Sequence, residues 1–347
     1  MSELRINNIT DRVGSSGPII AGVSTVTSTS HMVMPSGPTE MRGGRGRGVV
    51  AGGRDASNPA VDTMDLIEIT TAGNATDFGN LSDGGRDYPA GCASPTRGIF
   101  FGGTEPGFRN IIDFVTISSS GGANDFGDML VEPLAGFSLS NATRGIHAGG
   151  LLAPTPAYTK SNLIEFITIA STGDASNFGD LTEANAYAGT CASPTRGIFY
   201  KGSTPTYKKT IEFITIATLG NATRFGESST AGAGAPMGAS STTRGVFAGG
   251  QLDSPYPQTD VIEFITIATE GNAQDFGDLT SATSHGSGLS NSIRGLFCGG
   301  NVSPAKTNVI EFVTIASTGN ASDFGDLTVA RDRLGQGASD SHGGLGD

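Results

Sequence analysis

Six acidic residues recur at one place along this chain, Asp65, Asp113, Glu165, Glu212, Glu263 and Glu311, each thirteen residues before a phenylalanine. Those phenylalanines, Phe78, Phe126, Phe178, Phe225, Phe276 and Phe324, each sit in an Asp-Phe-Gly, Asn-Phe-Gly or Arg-Phe-Gly triplet. An arginine-glycine pair recurs with them, at Arg47, Arg97, Arg144, Arg196, Arg244 and Arg294. A carboxylate beside a guanidinium is equipment for acid–base or electrostatic catalysis, and a single Asp-Phe-Gly would suggest a kinase magnesium motif. Six copies, with no phosphate-cradling loop or catalytic loop, point instead to a tight turn beside a core aromatic. Glycoside hydrolysis needs one asymmetric pair of carboxylates, whereas these acids repeat. Each acid lies in a stretch otherwise apolar on both faces, such as Val261-Ile-Glu-Phe-Ile-Thr-Ile267. A carboxylate buried there needs a partner. The arginine of the same block, on the adjacent strand of the same sheet, is the expected one; exposure at the sheet edge is the other reading.

No other constellation amounts to a site. His31, His147, His285 and His342 share no spacing that converges on a metal, and no Gly-x-Ser-x-Gly elbow with a partner set stands out. Hence no catalytic, cofactor-binding or metal-binding residue is assigned, and no cofactor is expected. Cys92, Cys191 and Cys298 are expected as free thiols, because the repeat places them in strands that are not neighbours. The net charge of −12 disfavours nucleic acid as a partner, and the short Arg42-Gly-Gly-Arg-Gly-Arg47 run lacks interleaved aromatics. Asn-Ala-Thr at Asn74, Asn141 and Asn221 reads as turn composition, since no export signal is expected. No apolar run approaches the roughly eighteen residues that would suggest a membrane span.

The elements that position these residues follow from the period of about fifty. Each block reads as four strands. In the fifth block the first is Arg244-Gly-Val-Phe-Ala-Gly-Gly250, the second runs from Val261 to Ala268, the third from Ala273 to Leu279, and the last lies near Gly286 to Ser292. Gly271-Asn272 marks the turn between the second and third. With 53 glycines in 347 residues, tight turns are favoured over helices. A sheet apolar on both faces must be covered on both, and radial closure of repeated sheets does this without capping units. The C-terminal Ser341-His-Gly-Gly-Leu345 aligns with the Thr-Arg-Gly segments, with His342 in the arginine's place. The tail 331–347 is therefore expected to close the first sheet.

The glycine doublet, the fifty-residue block and an aromatic in each outer strand resemble the kelch family of β-propellers over residues 42–347. The expected fold is all-β: a six-bladed kelch-like β-propeller with a strand-rich N-terminal arm. Kelch blocks carry a tyrosine and a tryptophan; here Phe166, Phe213, Phe264 and Phe312 stand nearest the first place, and the chain has no tryptophan. The resemblance therefore implies the fold and no kelch partner.

Between doublet and second strand the loops vary from seven to twelve residues, which concentrates variation on one rim. Phe108, Tyr158, Tyr207 and Tyr256, among prolines in these loops, are the candidate rim-binding residues; covering the rim is the plain alternative. Residues 1–41 stand outside the repeat and read as a docking arm through Ile6, Ile9, Ile19, Ile20, Val23, Val26 and Val33, too polar to fold alone. The arm resembles leaders of tailed-phage appendage proteins. The Ile-Glu-Phe-Ile-Thr-Ile-Ala and Gly-Asn-Ala-x-Asp-Phe-Gly-Asp-Leu stretches resemble kelch-like virion proteins of marine cyanophages. This resemblance implies a non-enzymatic structural protein of the virion, made in the host cytoplasm and released by lysis. Its implied partners are other virion proteins, copies of itself in a homotrimer, and a host surface polysaccharide or receptor. Two other classes stay open, a tail-associated carbohydrate-active enzyme and an intracellular kelch-like adaptor.

Overall fold

The computed structural model describes residues 46–346, apart from 58, 105–106, 154–157 and 205. The expected docking arm, 1–41 with Ile6, Ile9, Ile19, Ile20, Val23, Val26 and Val33, lies outside the described residues. The described chain is all-β: four-stranded antiparallel sheets in a propeller-like arrangement, with a single 3-10 turn at Gly343–Leu345. We number the six four-stranded sheets among the described residues by their Arg-Gly strands, Arg47–Ala51, Arg97–Phe101, Arg144–Ala148, Arg196–Tyr200, Arg244–Ala248 and Arg294–Val302.

Sheet 5 shows the plan. Its order is Met237–Ser240, Arg244–Ala248, Val261–Thr266 and Gln274–Asp278: an inner strand, the Arg-Gly strand, the acid strand and an outer strand. The strand that ends one sequence block thus pairs with the Arg-Gly strand of the next block. In sheet 1 the inner strand comes from the other end of the chain, with Ala338 opposite Val49 and Ser339 opposite Gly48. Elsewhere the inner strand turns into the arginine through a polar cap: Arg97 N–H donates to Ser94 Oγ at 3.0 Å, and Arg144 N–H to Asn141 Oδ1 at 2.8 Å. Across the chain break in sheet 1, Asp340 Oδ1 accepts from Arg47 N–H at 2.9 Å, rebuilding the same turn without a covalent link. The chain then leaves that path. His342 does not take the arginine's place; it turns inward beneath the inner strands.

The Asp-Phe-Gly triplets are where neighbouring sheets join. Ile262 faces Gly277 and Glu263 faces Asp275, so Phe276 is an extra, bulged residue. All six sheets carry the same shift at the acid. The bulge buries the ring, which meets the acid strand's phenylalanine edge-on in sheets 2 to 6. It also frees the phenylalanine carbonyl for the next sheet: Gly121 N–H donates to Phe78 O at 2.7 Å and Gly319 N–H to Phe276 O at 2.7 Å. The last such bond, Gly73 N–H to Phe324 O at 2.8 Å, runs from sheet 6 back to sheet 1. Gly277, at φ +148°, lies so close to the Gly319-Asn320 turn that a Cβ there would strike its backbone.

The arginines do not pair with the acid of their own block. Arg97 stands opposite Thr116, three positions beyond Asp113, a separation of about 10 Å along a strand. Its guanidinium instead lies over the Phe114 ring, 4.8 Å from the centroid, and Nη1 donates to Ile169 O of sheet 3 at 3.0 Å. Arg144, Arg196, Arg244 and Arg294 repeat both contacts. Leu66 replaces the phenylalanine in sheet 1, and Arg47 there adds a 3.0 Å pair with the half-exposed Glu68 while still reaching Ile117 O. The arginine and the repeated acid occupy opposite ends of the sheet, so one links the sheets below and the other above.

Candidate functional site

Every repeated acid is buried, and each reaches back to the loop that follows the outer strand of the preceding sheet. Glu165 accepts from Leu130 N–H at 2.8 Å, Glu311 from Thr280 N–H at 3.0 Å, and Asp65 from Thr328 N–H at 3.2 Å. Asp113 and Glu212 accept the hydroxyls of Ser82 and Thr182. The two shorter acids gain an arginine from that same loop: Arg86 pairs with Asp113, and Arg331 with Asp65 at 3.1 Å, all four side chains fully enclosed. Glu263 is met by Lys201 Nζ at 3.1 Å, by the Tyr200 hydroxyl, by the hydroxyls of Ser228 to Thr230 and by the amides of Ser229 and Thr230. Despite the penalty of burial, Lys201 and these hydroxyls hold the Glu263 carboxyl down at about 2. Glu165 takes a 3.1 Å contact from His147 Nδ1. These carboxylates are tied into the sheet interfaces, which leaves them poor candidates for acid–base work.

The same end of the molecule carries a different convergence on the axis. Tyr88, Ala135, Tyr187, Ala235, His285 and Arg333, each just before an inner strand, all have φ between 53° and 59°. Non-glycine residues rarely adopt this left-handed conformation, at a cost of about 1–2 kcal/mol each. It is offset by bonds passed from sheet to sheet: Tyr88 N–H to Arg333 O at 2.7 Å, Tyr187 N–H to Ala135 O at 3.0 Å, and Ala235 N–H to Tyr187 O at 2.7 Å. His285 N–H to Ala235 O at 3.2 Å and Leu334 N–H to His285 O at 3.1 Å continue the series. Sheets 2, 4 and 6 supply the aromatics. Tyr88 and Tyr187 meet edge-on with ring centroids 5.6 Å apart, and His285 lies 5.9 Å from Tyr88 and 6.1 Å from Tyr187. The alanines of sheets 3 and 5 leave room for this triangle.

Charge gathers beside it. Asp87, fully buried, is reached by Arg54 Nε at 2.5 Å and Arg333 Nη1 at 3.2 Å. Burial pushes its carboxyl up from the ordinary range, against the pull of the two arginines. Burial likewise drives His285 down to about 4, with Arg333 adding to the effect and Asp332 opposing it. The imidazole at the axis is therefore neutral near pH 7.

Below the triangle the axis is filled. Hydroxyls stitch the inner strands together: Ser140 Oγ donates to Ala93 O, Ser240 Oγ to Ala192 O, Ser290 Oγ to Ser240 O and Ser339 Oγ to Ser290 O, at 2.6 to 3.0 Å. About 40 Å³ of open space lies beneath the aromatics and about 30 Å³ between the inner strands, far below the roughly 300 Å³ at which ligand pockets begin. The C-terminal turn stops the far end. Gly344 N–H donates to His342 Nδ1 at 3.1 Å, so Nε2 carries the proton and donates to Ala93 O at 3.0 Å. Burial lowers His342 to about 4, consistent with this neutral tautomer.

The rim residues named from sequence lie in the variable loops after the Arg-Gly strands. Phe108 and Tyr158 come together with centroids 6.0 Å apart, Tyr158 being 61% exposed. Tyr207 is half-buried, its hydroxyl donating to Gln251 Oε1 at 2.9 Å, while Tyr256 stands 57% exposed. Tyr88, Tyr187 and His285 were missed by the sequence reading. A signal existed: all six axial residues fall nine or ten positions after a repeated phenylalanine, but their types differ too much to look like a repeat.

No protein-family model matches the sequence, and no curated protein matches it. A solved structure titled "Structure of YjhT" is similar, with a TM-score of 0.62 at 12% identity, covering 76% of this chain and 91% of that one. At that identity the likeness supports the all-β, propeller-like fold and nothing about activity.

Proposed function

We propose that residues 42–347 form a six-bladed, kelch-like β-propeller, and that the chain is a non-enzymatic structural protein of a phage particle. In this reading residues 1–41 dock it to other virion proteins, and the propeller is displayed for assembly or for binding a host surface polysaccharide. The observation that carries the proposal is a contrast at one end of the molecule. The loops there vary in length and expose Tyr158 and Tyr256, while the repeated acids beneath them are buried in sheet interfaces. Exposed aromatic rings lose little side-chain freedom on contact and stack on sugar faces, so such a rim favours binding over turnover.

Incubating the full chain with host surface polysaccharide tests the proposal. Retention of the polymer without new reducing ends is expected; release of reducing ends would assign the chain to the carbohydrate-active enzymes of phage tails. Cryo-electron microscopy of the particle tests the location, with density for the propeller expected on the virion and the arm at its attachment point.

A further inference from the structure

Four of the six interface acids have a cationic or protonatable partner from within the chain: Arg331 at Asp65, Arg86 at Asp113, His147 at Glu165 and Lys201 at Glu263. Among the described residues Glu212 lacks a bonded cation, and burial pushes its carboxyl up from the ordinary value. Glu311 is the sixth. It is 6% exposed, it accepts from the amide and hydroxyl of Thr280, and no cation pairs with it among the described residues.

The reason lies in two replacements. Arg86 and Arg331 stand two residues before the left-handed residue of their loops, where sheet 5 has Thr283. Tyr200 ends the Arg-Gly strand of sheet 4 and Lys201 follows it, where sheet 5 has Ala248 and Gly249. The arginine, lysine and tyrosine that enter the interfaces at Asp65, Asp113 and Glu263 are therefore absent here, and a cavity of about 270 Å³ lies between sheets 5 and 6. Its lining includes Glu311, Thr280, Thr283 and Lys306, with Phe297 and Val309 as apolar wall. This volume is close to the lower end of ordinary ligand pockets, about 300 Å³. Lys306 does not supply the missing charge. Its ammonium is held at 2.7 Å by Asp55 O, at 3.3 Å by Arg54 O and at 3.1 Å by Asp332 Oδ1, in the loops where sheet 6 adjoins sheet 1.

A buried carboxylate without a counter-charge is costly, and at Glu311 the place of that counter-charge is open. We propose that the cavity between sheets 5 and 6 binds a small organic cation whose ammonium or guanidinium head occupies, at Glu311, the position that Arg86, Arg331 and Lys201 take at their interfaces. Its alkyl body lies against Phe297 and Val309, and the threonine hydroxyls accept from the head group's remaining N–H bonds. The site is distinct from the axial triangle and from the exposed rim tyrosines.

Calorimetric titration of the full chain with n-propylguanidinium chloride, at matched ionic strength and beside D-glucose, tests this. One-site binding of propylguanidinium is expected. Glu311→Gln should weaken it by about tenfold or more, as expected for loss of a charge-assisted hydrogen bond. Thr283→Arg, which places a tethered guanidinium in the cavity, should abolish it and raise the melting temperature, and this variant tests the site even if Glu311→Gln folds poorly. Asp253→Asn, on an exposed loop, should leave the affinity unchanged. Equal affinity in wild type, Glu311→Gln and Thr283→Arg would overturn the proposal. So would glucose binding that is lost in both variants while propylguanidinium fails to bind.

Discussion

The two ends of the molecule solve the same problem, joining one sheet to the next, by different means. At the end where the arginines sit, the links are nearly identical around the molecule: a guanidinium over its own sheet's phenylalanine in sheets 2 to 6, bonded to a carbonyl of the following sheet. At the opposite end the links vary. Asp with Arg, Glu with His, Glu with Lys and Tyr, and Glu with threonine donors alone each serve one or two interfaces. The aspartates accept the same amide and hydroxyl of the facing loop as Glu311 does, and at the aspartates an arginine from that loop adds a counter-charge. An end built from uniform backbone turns fixes the frame, and an end built from varied side chains can differ from sheet to sheet, as binding surfaces do.

The comparison can be broken most severely at the varied end. Deleting residues 331–347 removes the inner strand of sheet 1 and the partner of Asp65 together. We expect a loss of at least about 3–5 kcal/mol, the range for breaking one buried ion pair, measured by urea unfolding; a melt like that of the full chain would refute closure through this strand. Arg86→Ala, which strands the Asp113 carboxylate, should cost about 3–5 kcal/mol by itself, and a loss under 1 kcal/mol would mean that Ser82 alone satisfies it. At the uniform end, Arg244→Ala removes one carbonyl bond and one ring contact. A loss of about 1–3 kcal/mol is expected, with little rescue by Arg244→Lys, which cannot stack and bond in the same plane.

Histidines at both ends of the axis give the comparison a pH dependence. His285 and His342 are lowered to about 4 in the fold, against about 6.5 in an unfolded chain. Between these values the unfolded chain binds protons that the folded one does not, so stability is complete above about pH 6.5 and declines as pH falls toward about 4. Melting curves across that window should show this slope, and the pair His285→Asn with His342→Gln should flatten it. The smallest stability effect is expected at the rim. Tyr158→Ala and Tyr256→Ala should each change stability by no more than about 0.5 kcal/mol, yet weaken retention of host polysaccharide; unaltered retention in the double variant would remove these rings from the binding reading.

Much of the frame was legible because it is written in local period. The constant thirteen residues from acid to phenylalanine encode an acid strand, a Gly-Asn turn and a bulged outer strand, and each is fixed by its own β-branched run and glycines. What the arginines bond was not legible. In strand register the acid and the arginine of one block belong to neighbouring strands, and only the register shows them at opposite ends. The axial triangle escaped for a related reason. Tyr88, Tyr187 and His285 share a place in the repeat but not a residue type, and their rings meet only because alternate sheets aim them at one line.

The sequence by itself determined the all-β class, the repeated strands and the rim on which variation collects, since alternating burial, turn chemistry and loop length act within a few residues of one another. The tertiary structure decided which charges meet. Arg331 lies 266 residues from Asp65 and His342 lies 249 from Ala93. Contacts of that span depend on which sheet packs beside which, and on side chains of the right length standing at the seam.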